Sequence, residues 1–229
     1  MKVLVLTVRL PWNILKDQSK RRVFLKDRLI IIGAGGHGKV CADIALKINK
    51  WNNIYFLDNN LEIEKCLDLP VIGPIADALK YKEGADYFVA IGNNKIRERI
   101  QLNLEENDCT IATLIHPYAI INSHVQIKKG SVIMAGVVIN SNTCIDRGSI
   151  INTNSTIEHD NQIGKFVHIS PGVNIGGTVE IGDRTWIGIG SSVINDLKIN
   201  SDITFGARSL VLENIKTKGT YYGSPLKRR

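Results

Sequence analysis

Five histidines are the side chains best suited to proton transfer or metal binding, and one of them stands beside a carboxylate. They are His37, His116, His124, His159 and His168. His159 is followed directly by Asp160, and an imidazole paired with a carboxylate has the parts of a general base. Some zinc sites take two imidazoles from one chain at the spacing H-x4-H, and the sequence contains no such pair. We therefore expect no metal.

A six-residue repeat must position these side chains. An apolar anchor recurs at every sixth position without a break: Ile115, Ile121, Ile127, Ile133, Ile139, Ile145, Ile151, Ile157, Ile163, Ile169, Ile175, Ile181, Ile187, Val193, Ile199, Phe205 and Val211. Four positions after most anchors lies a small or β-branched residue, and turn-forming residues lie between. Neither the helical nor the strand period brings every sixth residue inward, whereas a coil of three short strands does. The repeat predicts a parallel β-helix with 18 residues per coil.

The repeat places His159 at a corner of this β-helix. His159 is the third residue of its unit, and the residue one coil later is Gly177 of the pair Gly176-Gly177, where the backbone can approach a ligand closely. An imidazole beside a carboxylate, under an exposed amide, predicts a general base with an oxyanion donor. The alternative is a solvated turn histidine.

The segment before the repeat alternates strands and helices. RLIIIG, IYFLD, PVIG and YFVAIG are typical of strands, while VCADIALKIN, IADALKYK and NNKIRERIQLNLEEN favour helices, so we expect an α/β domain with a parallel sheet. Gly33, Gly35 and Gly38 follow the first strand in the pattern G-x-G-x-x-G, and Asp58 ends the second strand. This motif alone indicates NAD, but four strands are too few for a full dinucleotide fold. The glycine turn can equally hold the pyrophosphate of a UDP-sugar, or merely permit tight packing.

Motifs from Leu29 to Pro225 resemble one known family. GAGGHG, FLD, AIGNN, STIEHDNQIGKFVHISPG and YYGSPLK are similar to the hexapeptide-repeat sugar acetyltransferases, which include sialic acid O-acetyltransferases and the UDP-4-amino-sugar N-acetyltransferases of bacillosamine synthesis. The resemblance implies a left-handed parallel β-helix after a Rossmann-like domain, with acetyl-CoA as cosubstrate. It also implies that His159 is the base and that Asp160 orients it, where relatives often carry Glu.

The same resemblance implies two sets of binding residues. His168 would contact acetyl-CoA, the Gly177 amide would face the thioester carbonyl, Ile189 and Ala207 would line the pantetheine channel, and Lys227 would lie near the CoA phosphates. The nucleotide sugar would be held by glycines and polar residues of the first domain, namely Gly35, Gly36, His37, Asp58, Asn59, Gly92, Asn93 and Asn94.

The spacing of two histidines also predicts an assembly. His159 and His168 are nine residues apart, half a coil, so they project on opposite sides of one β-helix. They can share a site only between neighbouring β-helices, as in the trimers of the family that the chain resembles. We therefore expect a homotrimer with active sites between its subunits.

Bulk composition restricts the remaining possibilities. The chain has 229 residues and a net charge of +7, but its basic residues are scattered, so we expect no nucleic-acid partner. The four cysteines lie far apart, which favours a reducing cytoplasm over a disulfide framework. No run approaches the roughly 20 apolar residues that span a bilayer, so we expect no membrane insertion.

Four segments and three functions summarise the prediction. The segments are an unassigned extension at 1–28, a nucleotide-sugar domain at 29–113, the β-helix at 114–216 and a CoA-proximal tail at 217–229. The favoured function is N-acetylation of a nucleotide-linked amino sugar, specifically a UDP-4-amino-4,6-dideoxy-hexose. Alternatives are O-acetylation of a sialic acid or related sugar, and a non-catalytic subunit that binds nucleotide sugars.

Overall fold

The computed structural model describes residues 26–228, and they begin with a small α/β domain. Its parallel sheet has the strand order β2-β1-β5-β6, formed by Lys26–Ile32 (β1), Trp51–Leu57 (β2), Ala85–Val89 (β5) and Thr110–Ile111 (β6). The strand run Leu29 to Ile32 is fully buried, as expected for a sheet that is covered on both faces. Of the predicted extension at 1–28, residues 1–25 lie outside the described part of the chain. Residues 26–28 begin β1.

Two helices and a 3-10 turn cover this sheet. They are α1 (Gly36–Ile48), a 3-10 helix (Ile75–Tyr81) and α2 (Asn94–Glu106). The expected strand PVIG contributes only one parallel bridge, Val71 to Phe56, beyond a short hairpin of β3 (Lys65–Cys66) and β4 (Leu69–Pro70). Pro70 and Pro74 lack an amide donor, so this segment cannot continue a ladder. The fourth parallel strand is β6 instead, which the sequence pattern did not reveal.

From Leu114 the chain winds into a β-helix with three faces. The first face contains Leu114–Ile115, Val132–Ile133, Ile150–Ile151, His168–Ile169, Trp186–Ile187, Ile203–Phe205 and Gly219–Tyr222 (β7, β10, β13, β16, β19, β22 and β24), with Lys227–Arg228 (β25) added antiparallel. The second contains Ile120–Ile121, Val138–Ile139, Thr156–Ile157, Asn174–Ile175, Ser192–Val193 and Leu210–Val211 (β8, β11, β14, β17, β20 and β23). The third contains Gln126–Ile127, Cys144–Ile145, Gln162–Ile163, Glu180–Ile181 and Lys198–Ile199 (β9, β12, β15, β18 and β21).

The register confirms the coil length that the repeat predicts. Within each face, residue pairs such as Ile139 with Ile157 lie 18 positions apart in the chain and pair in parallel. From Ile133 to Val211 every anchor is buried, so the anchors stack into one continuous core. The predicted combination of an α/β domain and a parallel β-helix is confirmed.

The corners from His124 to Arg208 each turn through one residue in the left-handed backbone region. These residues lie three positions after successive anchors, and their φ angles fall between 54° and 76°. Glycine, asparagine and aspartate adopt this conformation most readily, and they hold most of these positions. We call the turns after the first, second and third faces the first, second and third corners. His159 and Asp160 lie on the second corner.

Helix α2 docks the small domain on the third corner of the β-helix. Glu98 pairs with Arg184, which also binds Asp202, while at the other end of the helix Glu105 pairs with Arg147 and Lys129. Helix α1 packs against the first coil. These contacts orient the glycine turn toward the first face of the β-helix. None of the helices between residues 26 and 228 has the length and apolarity needed to span a membrane.

Candidate active site

His159 and Asp160 form the pair that their adjacency predicts. The Nδ1 atom of His159 lies 2.7 Å from Oδ2 of Asp160, and both side chains are about half exposed. With a carboxylate at this distance, Nδ1 carries the proton and donates it, which leaves the lone pair of Nε2 facing outward to accept another. Although aspartate is one methylene group shorter than glutamate, the Asp160 carboxylate therefore contacts the imidazole ring directly.

Asp160 is held in place by its own coil and by the coil before it. It occupies the left-handed corner position with a φ of 59°, and its Oδ1 accepts a hydrogen bond from Nδ2 of Asn142 at 3.2 Å. The hydrogen bond from His159, and then the one from Asn142, lower the pKa of Asp160. The carboxylate is therefore ionised near neutral pH, as a partner of an imidazole N–H must be.

Gly177 lies directly over the ring of His159. A Cβ atom at position 177 would be 2.6 Å from Cε1 and 2.7 Å from Nε2 of His159, closer than real contacts allow. Every other residue at this position of the repeat, from Pro117 to Glu213, carries a side chain, so glycine is confined to the coil that covers His159. Gly177 is buried, so the expected exposed position is wrong at the level of the residue.

The Gly177 amide is an available donor. Main-chain hydrogen bonds link the neighbouring amides of Gly176 and Thr178 to Val193 O and His159 O, but in the described part of the chain no acceptor pairs with Gly177 N. A buried N–H without a protein partner is uncommon and indicates a ligand or water at that point.

Asn161 is a site residue that the sequence pattern could have revealed. Four positions after each anchor, the other six-residue units carry Ala, Val, Ser, Thr, Leu or Ile, so an amide side chain breaks the pattern there. Asn161 is fully buried and bonds to main-chain atoms of the coils that carry His159 and Gly177. Its position inside the core kept it out of the predicted set.

The predicted acetyl-CoA residues lie on two separate parts of the β-helix. Ile189 and Ala207 stack one coil apart on the first corner, and both are exposed. Lys227 lies in β25, paired with Tyr222. Pro171 lies one coil before Ile189 at the same position. The three side chains form an apolar column that runs along the axis of the β-helix. His159 is on the second corner, across the second face from this column.

His168 lies on the first face, next to the small domain. Its ring stacks on Trp186 with centroids 5.4 Å apart, and both ring nitrogens are buried without a hydrogen-bond partner among the described residues. Burial, then the charge of Arg97, then His37 lower its pKa to about 3. The imidazole is therefore neutral at physiological pH and can accept or donate one hydrogen bond to a ligand.

A cleft of about 680 Å³ in the small domain brings together six of the eight residues predicted to bind a nucleotide sugar. They are Gly35, Gly36, His37, Asp58, Asn59 and Gly92. The amino end of α1 opens into this cleft, where main-chain amides favour anions. Burial, and then the charge of Arg97, lower the pKa of His37 to about 4, so this imidazole is also neutral. Most of the remaining wall is apolar, including Ile75, Ala76, Ile96 and Ile100, and Arg99 adds a basic side chain to it.

Asp58 and Asn59 also shape the cleft that they line. Asp58 accepts hydrogen bonds from the amides of Ala34 (2.7 Å) and Asn60 (2.8 Å), and Asn59 accepts one from the Ile75 amide. The side-chain nitrogen of Asn59 therefore remains as a donor toward the cleft. Through its bond to the Ala34 amide, Asp58 stabilises the glycine turn.

Asn93 and Asn94 do not line this cleft. Asn93 caps α2 by accepting a hydrogen bond from the Ile96 amide, and Asn94 donates to the carbonyl of Arg184 at 2.9 Å. Both face a separate hollow of about 390 Å³ beside Trp186. Their contacts fasten the start of α2 to the β-helix.

Arg97 connects the cleft to the β-helix and was missed in the sequence. Its guanidinium is fully buried and donates to the carbonyls of Ile91, Gly92, Gly148 and Phe166 and to Oδ1 of Asn94, at 2.7 to 3.1 Å. Burial lowers its pKa to about 9. An arginine fork can satisfy several carbonyls at once, which lysine cannot. Across residues 26–228, no three His, Cys, Asp or Glu side chains converge as a metal site would require.

Comparisons with known proteins agree with this arrangement. Residues 28–104 match the family model of the PglD N-terminal domain. The acetyltransferase domain of PglB from Neisseria gonorrhoeae is 36% identical, with a TM-score of 0.85 over 88% of this chain and 99% of that one. PerB from Caulobacter crescentus, solved in complex with CoA and GDP-perosamine, is 30% identical with a TM-score of 0.81 over 88% of this chain and 96% of that one.

A curated relative matches over a shorter stretch. The UDP-N-acetylbacillosamine N-acetyltransferase of Bacillus subtilis is 32% identical over 108 residues, which are 46% of this chain and 50% of the relative. The matched segment therefore spans about half the length of that relative. The β-helix, the corner histidine and the small domain together define a hexapeptide-repeat acyltransferase. Since the PglB acetyltransferase domain is matched over almost its whole length, the chain belongs to the hexapeptide-repeat sugar acetyltransferases.

Proposed function

We propose that this protein transfers the acetyl group of acetyl-CoA to the amine of a nucleotide-linked amino sugar. The observation that carries the proposal is the second corner, where the His159–Asp160 pair lies beneath the unpaired amide of Gly177. A base and an oxyanion donor one coil apart are the two groups that acyl transfer to an amine requires.

The reaction is a direct attack of the amine on the thioester carbonyl carbon. The nitrogen forms the new C–N bond, the carbonyl oxygen becomes an oxyanion that the Gly177 amide stabilises, and the amine proton passes to Nε2 of His159. Asp160 stabilises the resulting imidazolium through Nδ1. The C–S bond then breaks, and the proton on His159 returns to the departing thiolate. No covalent acyl-enzyme is needed.

The cleft of the small domain supports a nucleotide-linked acceptor. Its glycine turn at the amino end of α1 suits a diphosphate, its apolar wall suits a base, and neutral His37 avoids adding charge beside the sugar amine. PerB was solved with a GDP-sugar and the B. subtilis relative is described by a UDP-sugar. We favour a UDP-4-amino-4,6-dideoxy-hexose, since the motifs match the bacillosamine branch.

An acceptor screen tests this function. Release of CoA thiol from acetyl-CoA is measured with UDP- and GDP-linked 4-amino sugars and with sialic acid. We expect turnover with a nucleotide 4-amino sugar and none with the same sugar acetylated at its amine. Turnover with sialic acid alone would replace the proposal by O-acetylation. Binding of UDP without turnover on any acceptor would favour a non-catalytic subunit.

We also propose that the active form is a homotrimer. Four exposed apolar side chains of the β-helix lie on the second face and its two corners, at Ile120, Ile189, Ile194 and Leu212, while Trp186 and Tyr222 are exposed on the first face. Covering them would bring the first face of one subunit, with His168, toward His159 of the next. Light scattering should give three times the chain mass of 25.4 kDa. A fully active monomer would contradict this assembly.

A further inference from the structure

Asn161 occupies a place where this fold does not require an amide. It lies four residues after the anchor Ile157, where five other six-residue units carry Val and several carry Ser or Thr. Those units form the same turns and pair in the same register. A fully buried amide among aliphatic side chains costs free energy unless all its polar atoms are bonded. The reason for asparagine must therefore lie in what its amide holds.

The amide of Asn161 ties two neighbouring coils together at the second corner. Its Nδ2 donates to Glu158 O at 2.6 Å and to Gly176 O at 3.0 Å, with a longer contact of 3.3 Å to His159 O. Its Oδ1 accepts from the amide of Val179 at 3.0 Å. This pattern defines the orientation of the side chain, because only the NH₂ group can meet three carbonyls.

Serine and threonine at the same position of other coils make part of this set. Ser149 donates to Gly164 O of the next coil and accepts from the Val167 amide, and Ser131 repeats the pattern with Asp146 O and the Ser149 amide. A hydroxyl has one hydrogen to donate, so it can hold the next coil or its own but not both. The Asn161 amide has two such hydrogens, so it bonds to its own coil and to the next coil at the same time.

The bond to Gly176 O stabilises one orientation of the Gly176-Gly177 peptide. The carbonyl of Gly176 and the N–H of Gly177 belong to one planar trans peptide, in which the two bonds point in opposite directions. Asn161 Nδ2 bonds to the carbonyl from the core side, so the N–H of the same peptide is turned away from the core. The bonds to Glu158 O and His159 O fix the two peptides on either side of the imidazole in the same way.

We propose that Asn161 is a positioning residue that aligns the general base with the oxyanion donor. It holds the Gly176-Gly177 peptide and the main chain of His159 in one arrangement, without itself touching a substrate. The inference rests on the proposed function of His159 and Gly177. It adds a specific reason why this coil departs from the repeat.

A graded series of variants tests the proposal. Asn161→Val removes both donors while keeping a residue that the fold uses at this position, and Asn161→Ser restores one. We expect kcat to fall by roughly 10- to 100-fold for Asn161→Val, within the loss that follows removal of one oxyanion donor. Asn161→Ser should lie between this variant and the unchanged protein. KM for both substrates should stay within about twofold, since no binding contact is lost.

Ser131→Val is the matched control, because Ser131 is equally buried at the same repeat position but lies on the third corner, away from His159. It should leave kcat within about twofold. Asn161→Val with unchanged kcat, or an equal loss in Ser131→Val, would overturn the proposal. Lack of acetyl transfer by the unchanged protein would instead refute the proposed function. Crystal structures of the unchanged protein and Asn161→Val then decide: a rotated Gly176-Gly177 peptide supports the alignment role, and an unmoved one overturns it.

Discussion

Replacement of His159 by alanine is expected to lower kcat by a factor of about 10² to 10⁴, the usual contribution of a positioned general base. The loss follows from the geometry of the ring. Asp160 occupies Nδ1 at 2.7 Å and leaves Nε2 as the proton acceptor. Stability should change by less than about 1 kcal/mol, because the side chain is 59% exposed and packs into no core. Steady-state kinetics and thermal unfolding of the same preparations measure both effects.

His124→Ala is the control for this experiment. His124 is an exposed histidine on the same corner two coils earlier, so its loss changes surface chemistry in the same way without touching the pair. It should leave kcat within about twofold. If His159→Ala keeps full turnover, or if both variants lose the same fraction, the proton acceptor is not His159.

The β-helix could be predicted from the sequence because every coil repeats the same local requirement. An anchor such as Ile157 points inward, a residue such as Asp160 adopts the left-handed turn, and each coil contacts only its neighbours. A fixed spacing of 18 residues then translates sequence position into spatial position. For the same reason the vertical stacking of Gly177 on His159 could be inferred without coordinates. Their roles in the reaction stay predictions.

The docking of the two domains could not be predicted, because it depends on contacts between residues far apart in the chain. Arg97 donates to Gly148 and Phe166, 51 and 69 positions away, and no local period marks it as an interface residue. In a sequence it reads as one more charge on an amphipathic helix. The same reason explains Asn93 and Asn94, which look like loop residues near a ligand but cap and fasten α2.

The relative positions of His37 and His168 depend on the docking of the small domain on the β-helix. His37 lies in the cleft of the small domain, and Arg97 and His37 are both close enough to lower the pKa of His168 on the first face. The cleft of the small domain and the first face are therefore neighbours within one chain. His159, on the second corner, is not part of this neighbourhood, and in the homotrimer that we propose a second subunit would supply it.

Gly177→Ala is expected to lower kcat by about 10- to 100-fold through a displaced imidazole. The new Cβ would lie 2.6 Å from Cε1 of His159, so the half-exposed ring must move, and a shift of about 1 Å in a catalytic group can cost about 10²-fold. Gly177 does not have a positive φ, so alanine introduces no backbone strain of its own. Thermal unfolding should therefore show a change of at most about 1 kcal/mol.

A double-mutant cycle separates this steric effect from other consequences of the added methyl group. If Gly177→Ala acts through the ring, it should have little further effect in a protein that already carries His159→Ala, because the displaced group is absent. Ser141→Ala, at the same repeat position one coil before His159, should leave kcat unchanged within about twofold. An equal loss from Gly177→Ala with and without His159 would mean that the methyl group blocks the substrate or disturbs the amide. In that case the oxyanion donor, rather than the position of the base, would be the reason for glycine in this coil.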